Sequence, residues 1–158
     1  MHPFVADLKA VLNTNESFDY LPFGDWTAGG CGLLAESLLR LVPDSELILV
    51  GRLAKSIPDH FLIRVPMEGD WLYVDYDGLR THDEVIADFR REYPDKADDI
   101  SIMPAAAFDF DPDDPDALFW YRDSVPGFTR HLERELGPID LDRLDLAWCD
   151  DGPEPSLP

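Results

Sequence analysis

Apolar residues recur at helical spacing near the start of the chain. Phe4, Val5, Leu8, Val11 and Leu12 predict a short amphipathic helix over residues 3–13. From Asn13 to Gly30 that period is lost, and a run rich in Asn, Pro, Gly, Asp and aromatic residues reads as an ordered surface loop. The helical period returns at Cys31. Leu33, Leu34, Leu38, Leu39 and Leu41 form a broad apolar face, and the Val42-Pro43 step ends the helix because proline cannot continue it. A face this wide places the helix centrally in the core. Beyond Pro43 the pattern changes to short β-rich runs: Glu46–Arg52, His60–Val65 and Trp71–Tyr76. The five residues Pro66 to Asp70 have the length and composition of a hairpin-type connection. Thr81-His82-Asp83-Glu84 then offers a capping box ahead of Val85, Ile86 and Phe89, predicting a helix over 82–92 that stops before Pro94.

The last third carries weaker periodicity. Ile100–Met103 fits one more edge strand. Asp109–Asp116 is an acidic, proline-bearing loop, with Asp114 and Pro115 placed to start a helix through Leu118, Phe119 and Trp120. Pro126-Gly127 is expected to interrupt it, and Phe128–Leu136 is helical again. Ile139–Trp148 fits a final short helix. Trp120, Tyr121 and Trp148 read as core residues, and His82 and His131 as exposed helix residues. The order helix, loop, helix, strands, helices predicts an α+β fold. The expected core is a central Cys helix packed on a small antiparallel sheet, with extra C-terminal helices. Residues 1–149 read as one domain and 150–158 as a disordered acidic, proline-bearing tail.

Composition narrows the classes of function. Thirty-three acidic residues against 13 Lys and Arg give a formal charge of −20, which repels phosphates and anionic lipid, so direct nucleic-acid or membrane binding is disfavoured. A hydrophobic content of 45% supports a packed core and argues against general disorder. The N-terminus lacks a basic region followed by an apolar run, and no stretch reaches the roughly 20 apolar residues of a membrane span. Cytoplasmic residence is the expectation, although an effector exported by a dedicated machine has the same features. Cys31 and Cys149 are far apart and offer neither a disulfide framework nor a zinc pattern. Asp109–Asp116 is dense in carboxylates but lacks the glycine and terminal Glu of an EF-hand loop, so no metal site is expected.

Candidate chemistry converges on one window. Gly29-Gly30-Cys31 precedes the apolar helix and puts the sulfur at a helix N-terminus, where unpaired N–H groups and the macrodipole favour a thiolate. The glycines let a substrate approach and let N–H groups face an oxyanion. Cys149 sits beside Asp150 and Asp151, whose charges oppose ionisation, so Cys31 is the candidate nucleophile. His60 opens a strand and is placed to act as base and then acid. If that strand pairs with 71–76 about a turn centred between residues 67 and 68, Asp75 lies directly across from His60, on one face, as its orienting carboxylate. Asp77 faces the same side and is the alternative.

These residues resemble the transglutaminase-core branch of the papain-like superfamily. Gly30-Cys31 at a helix start, His60 in a strand and the spacing Trp71 to Asp75 match its three motifs. Arylamine N-acetyltransferases have a similar glycine-rich cysteine turn, and small papain-like proteins of phages and bacteria share the Asp75-Tyr76-Asp77-Gly78 run before a helix. The resemblance covers about 65 of the 158 residues. It implies a papain-like fold and a Cys31–His60–Asp75 triad. Papain-like proteases carry a Gln shortly before the nucleophile; here Asp25 and Trp26 occupy that neighbourhood, and Trp26 Nε1 takes the place of an oxyanion donor alongside Gly30.

The expected activity is hydrolysis or acyl transfer at an amide or isopeptide bond, without metal or organic cofactor. The substrate would be a protein or peptide, and the acidic surface favours a basic one. The alternative is a non-catalytic acidic binding protein that inhibits a partner, with its charge imitating nucleic acid. In that case Asp109, Asp111, Asp113 and Asp114 would carry function and Cys31 would not.

Overall fold

The change of hydrophobic period at Pro43 becomes a change of layer. The computed structural model describes residues 2–21, 25–27, 29–52, 58–67, 69–105 and 121–144. Its α-helices are α1 (Pro3–Leu12), α2 (Asn15–Phe18), α3 (Cys31–Leu41), α4 (His82–Glu92) and α5 (Val125–Leu136). Its strands are β1 (Glu46–Arg52), β2 (His60–Met67), β3 (Asp70–Asp75), β4 (Gly78–Arg80) and β5 (Ile100–Pro104). They form one antiparallel sheet in the order β4-β3-β2-β1-β5. The architecture is α+β, and no helix among the described residues is long and apolar enough to cross a membrane.

Each face of the sheet has its own core, as strand alternation requires. Ile63, Val65, Leu72 and Val74 pack with Leu33, Leu34 and Leu38 of α3, Leu8 of α1 and Phe128 of α5. Ile48, Val50, Leu62 and Tyr73 pack with Val85 and Phe89 of α4. Each fully buried aliphatic or aromatic side chain contributes about 1.5–3 kcal/mol. Leu33 and Leu38 are fully buried, so α3 holds the central position that its broad apolar face demands.

Local signals set most boundaries. Thr81 and Glu84 form the expected reciprocal box: Thr81 N–H donates to Glu84 Oε2 at 2.7 Å, and Glu84 N–H to Thr81 Oγ1 at 3.3 Å. Pro126 and Gly127 lie inside the first turn of α5 and do not interrupt a helix. The first turn needs no N–H from a proline, so Pro126 starts the helix. Two short elements departed from expectation. Within the supposed loop, Thr14 caps the single turn α2 by accepting from Ser17 N–H at 3.2 Å. The three-residue β4 extends the sheet beyond β3. Of the helix expected over Ile139–Trp148, the described part is a 3-10 turn at Asp142–Leu144, and residues 145–148 lie outside the described residues. The acidic loop 109–116, Trp120, Trp148, Cys149 and the tail 150–158 lie outside the described residues.

The β2–β3 register also differs from the expected one. Ile63 pairs with Val74, Pro66 with Trp71 and Met67 with Asp70, so both strands run further into the connection and the turn is tighter. Extending this register puts Asp75 opposite Leu62 instead of His60. The displacement is two residues, and side chains alternate with a period of two, so His60 and Asp75 keep a common face. They meet diagonally, a separation that long side chains can bridge.

A candidate thiol site at one end of the sheet

Cys31 is the first residue of α3, and the chain before it explains why the helix begins there. Gly29 has φ +100°, a conformation suited to glycine. Gly30 packs against the preceding turn so closely that a Cβ would lie 2.6 Å from Asp25 O. Its N–H donates to that same carbonyl at 2.8 Å. The turn from Asp25 to Gly30 thereby folds back on itself and presents the sulfur at the helix N-terminus. Cys31 is buried, with 8% exposure.

His60 is the first residue of β2, at the sheet end beside that helix start. Its Nε2 lies 2.9 Å from Asp75 Oδ2, and its ring packs tilted against Phe89 with centroids 5.6 Å apart. His60 and Cys31 are also coupled: the imidazole lowers the thiol's pKa and the thiol raises that of the imidazole. Because Nε2 is engaged by Asp75, Nδ1 is the nitrogen left for the thiol. One ring therefore stands between the carboxylate, at 2.9 Å, and the thiol to which it is electrostatically coupled.

The electrostatics favour an ion pair. Burial opposes a charge on His60, but hydrogen bonds to Asp75 and Cys31, with their negative charge, raise its pKa to about 9. Burial likewise opposes the Cys31 thiolate. The His60 hydrogen bond and charge, with backbone N–H groups of Phe61 and Gly32, outweigh it and bring the thiol below its ordinary value. Asp75 is 3% exposed, yet His60, Arg80 and the Asp77 N–H hold it below its ordinary value against burial.

The supporting residues stand elsewhere than the sequence implied. Trp26 is buried against Phe128, ring centroids 5.0 Å apart, and its one N–H donates to Leu12 O at 2.8 Å. The Gly30 N–H is held by Asp25 O. Neither donor faces the sulfur. A buried indole takes the nearest orphan acceptor, here a carbonyl at the end of α1. Asp77 contributes through its backbone, whose N–H donates to Asp75 Oδ1 at 2.9 Å, while its own carboxylate is 57% exposed.

Sequence reasoning missed three contributors. Arg80 reaches Asp75 Oδ2 with Nη2 and Asp88 Oδ2 with Nη1, the latter at 3.0 Å. The Asp75-Tyr76-Asp77-Gly78 turn was the available signal, because a tight turn there returns the chain beside β3. Gly32 is required by Tyr121, whose Cε1 would lie 2.4 Å from a Cβ at that position. Tyr121 OH donates to Glu36 Oε1 at 3.2 Å, and burial followed by the Glu36 charge pushes its pKa up. Phe61 supplies an N–H to the sulfur, and its ring meets Tyr121 edge-on.

A second histidine cluster lies away from this end. His131 is buried, contrary to the exposed position expected of it, because Tyr20 and Phe128 stack on its ring. Its Nε2 lies 2.8 Å from Ser17 Oγ and its Nδ1 3.2 Å from Glu16 Oε1. Glu16, His131 and Glu135 bring ligand-type atoms within 4.8 Å of one another. Arg134 stands among them: Nη2 is 2.6 Å from Glu16 and 2.9 Å from His131 Nδ1, and Nε is 2.7 Å from Glu135. The guanidinium already supplies the positive charge that this cluster calls for. Compared with known proteins, the chain matches no family model, no curated protein and no solved structure.

Proposed function

We propose that the protein is a cysteine-dependent hydrolase or acyl transferase acting on amide or isopeptide bonds, with a papain-like arrangement of its core. The observation that carries this reading is the buried His60 ring, held by Asp75 at 2.9 Å and electrostatically coupled to Cys31 at the start of α3. Cys31 Sγ attacks the carbonyl carbon, and the C–N bond breaks as the imidazolium returns its proton to the leaving amine. The thioester is then released by water or by a second amine, with His60 taking the proton of that nucleophile. Asp75 fixes the ring so that Nδ1 faces sulfur. The first N–H groups of α3 have no intrahelical acceptor, and in this reading that of Cys31 itself receives the developing oxyanion. The acidic surface favours a basic protein or peptide as substrate.

The test is alkylation of Cys31 by iodoacetamide from pH 4 to 9, with p-nitrophenyl acetate as an acyl donor followed by intact mass. Fast alkylation persisting well below pH 8, and an acetyl adduct at Cys31 that His60→Ala suppresses, are expected. A rate that follows an ordinary thiol pKa near 8.5 and ignores His60 would overturn the reading.

A further inference from the structure

Asp75 is engaged more heavily than orienting one imidazole requires. Oδ2 accepts from His60 Nε2 and from Arg80 Nη2, and Oδ1 accepts from the Asp77 N–H. Arg80 is itself pinned. Its side chain is 11% exposed, and Nη1 reaches Asp88 Oδ2 on α4 at 3.0 Å. Asp88 is held in turn by Arg91, Nη1 to Oδ1 at 2.9 Å, so α4 anchors the guanidinium from its far side. The Nε–H of Arg80 is buried and lacks a hydrogen-bond partner among the described residues. An orphaned buried donor is unfavourable, and here it accompanies a fork that bridges two carboxylates on different elements. A lysine could supply charge but could not span both.

We propose that Arg80 is a positioning residue of the thiol site: by bridging Asp75 and Asp88 it keeps the buried Asp75 ionised and aimed at His60, and so extends the acid range of the Cys31–His60 ion pair. The inference rests on the thiol reading above. The charge order along the chain of contacts is negative at Cys31, positive at His60, negative at Asp75, positive at Arg80 and negative at Asp88. Among the described residues Asp77 also stands by this chain, with its Oδ2 4.0 Å from Arg80 Nη1. Without Arg80, burial favours the protonated form of Asp75. A protonated Asp75 no longer accepts the Nε2–H, the imidazolium loses its counter-charge, and the proton returns to sulfur. The acid limb of Cys31 reactivity must then move to higher pH. The limb at alkaline pH, set by loss of the His60 proton, is a separate quantity.

The experiment is the pH profile of Cys31 alkylation by iodoacetamide in the full chain, for wild type, Arg80→Met, Arg80→Lys and Asp88→Asn. In Arg80→Met the acid limb is expected to move up by about one pH unit, a loss of about tenfold on that limb, with the plateau near pH 8 little changed. Arg80→Lys should restore part of the range and Asp88→Asn should shift the limb less, in the same direction as Arg80→Met. A merely structural arginine would lower the melting temperature and leave the limb in place, which overturns the proposal. If Arg80→Met does not fold, unshifted limbs in both Arg80→Lys and Asp88→Asn overturn it equally. An activated wild type with an unmoved limb sinks only the role of Arg80. A wild-type rate that follows an ordinary thiol sinks the thiol reading as well.

Discussion

Two of the buried histidines in this molecule, His60 and His131, have nearly the same attendants. His60 is held by a carboxylate, Asp75, with Arg80 behind it. His131 lies against a carboxylate, Glu16, with Arg134 across both. The difference is the partner of the other ring nitrogen. His60 meets a thiol at a helix N-terminus, where dipole and N–H groups lower the cost of a negative sulfur. His131 meets Ser17, which is fully buried and donates its single proton to Val11 O at 2.7 Å. Ser17 can therefore only accept from His131 Nε2–H, which leaves Nδ1 to accept from Arg134. One cluster has a nucleophile whose proton can move. In the other, every proton already has a fixed acceptor, and the result is a joint between α2 and α5.

That contrast can be broken experimentally. The largest effect expected is on Cys31 alkylation near pH 6. Cys31→Ala removes the reaction, and His60→Ala slows it by about a hundredfold, the scale of a lost acid–base partner. His131→Ala should leave the rate at Cys31 unchanged while destabilising the fold by about 3 kcal/mol in urea unfolding, through the cavity under Tyr20 and Phe128 and the lost hydrogen bond to Ser17. A change in alkylation rate in a folded His131→Ala protein would show that the two clusters are not independent. Next, Asp75→Asn should bring the His60 titration, followed by NMR of its ring protons, from about 9 toward its ordinary value near 6.5. An unmoved titration would mean that Asp75 does not govern His60.

Smaller effects sharpen the comparison. Ser17→Ala leaves the buried Nε2–H of His131 without its acceptor and removes one of the donors to Val11 O, and should cost roughly 2 kcal/mol with Cys31 reactivity intact. The smallest effect is a pH dependence of stability. A raised His60 pKa gives stability that is complete below the unfolded value near 6.5 and is lost as pH rises toward about 9. The lowered Cys31 pKa acts in the opposite sense, adding stability as pH rises toward the unfolded thiol value near 8.5. The two largely cancel, because one proton has moved between partners. Cys31→Ser removes the cancellation, so its stability should fall by on the order of 1 kcal/mol across that interval while wild type stays flat. Parallel curves for the two proteins would argue against an ion pair.

Much of this was legible in order and spacing. The 3.6 period around Leu33 and Leu38 marked a central helix, the Thr81–Glu84 box marked the start of α4, and the strands at Glu46 and His60 begin where the short β-rich runs begin. Cys31, His60 and Asp75 were legible because each sits at an element boundary with a stated electrostatic or register consequence. The register itself was read two residues out, and the error was harmless only because strand faces repeat every two residues. Less visible were contacts between segments distant in sequence. The commitment of Trp26 to Leu12 O, the burial of His131 under Tyr20 and Phe128, and the ring of Tyr121 over Gly32 leave no periodic trace.

The sequence by itself determined which residues could carry thiol chemistry and the α+β order of the elements that hold them. Those are consequences of local forces: side-chain period, capping, the glycine turn before a helix and the charge beside each cysteine. Only the tertiary structure decided which donors remain free for that chemistry and what stands behind Asp75. A hydrogen-bond donor has one direction and finds whichever acceptor packing brings to it. Trp26 was therefore taken by the Leu12 carbonyl at the end of α1, and Gly30 by that of Asp25. Arg80 was drawn to a buried carboxylate that the short strand β4 happened to bring within reach.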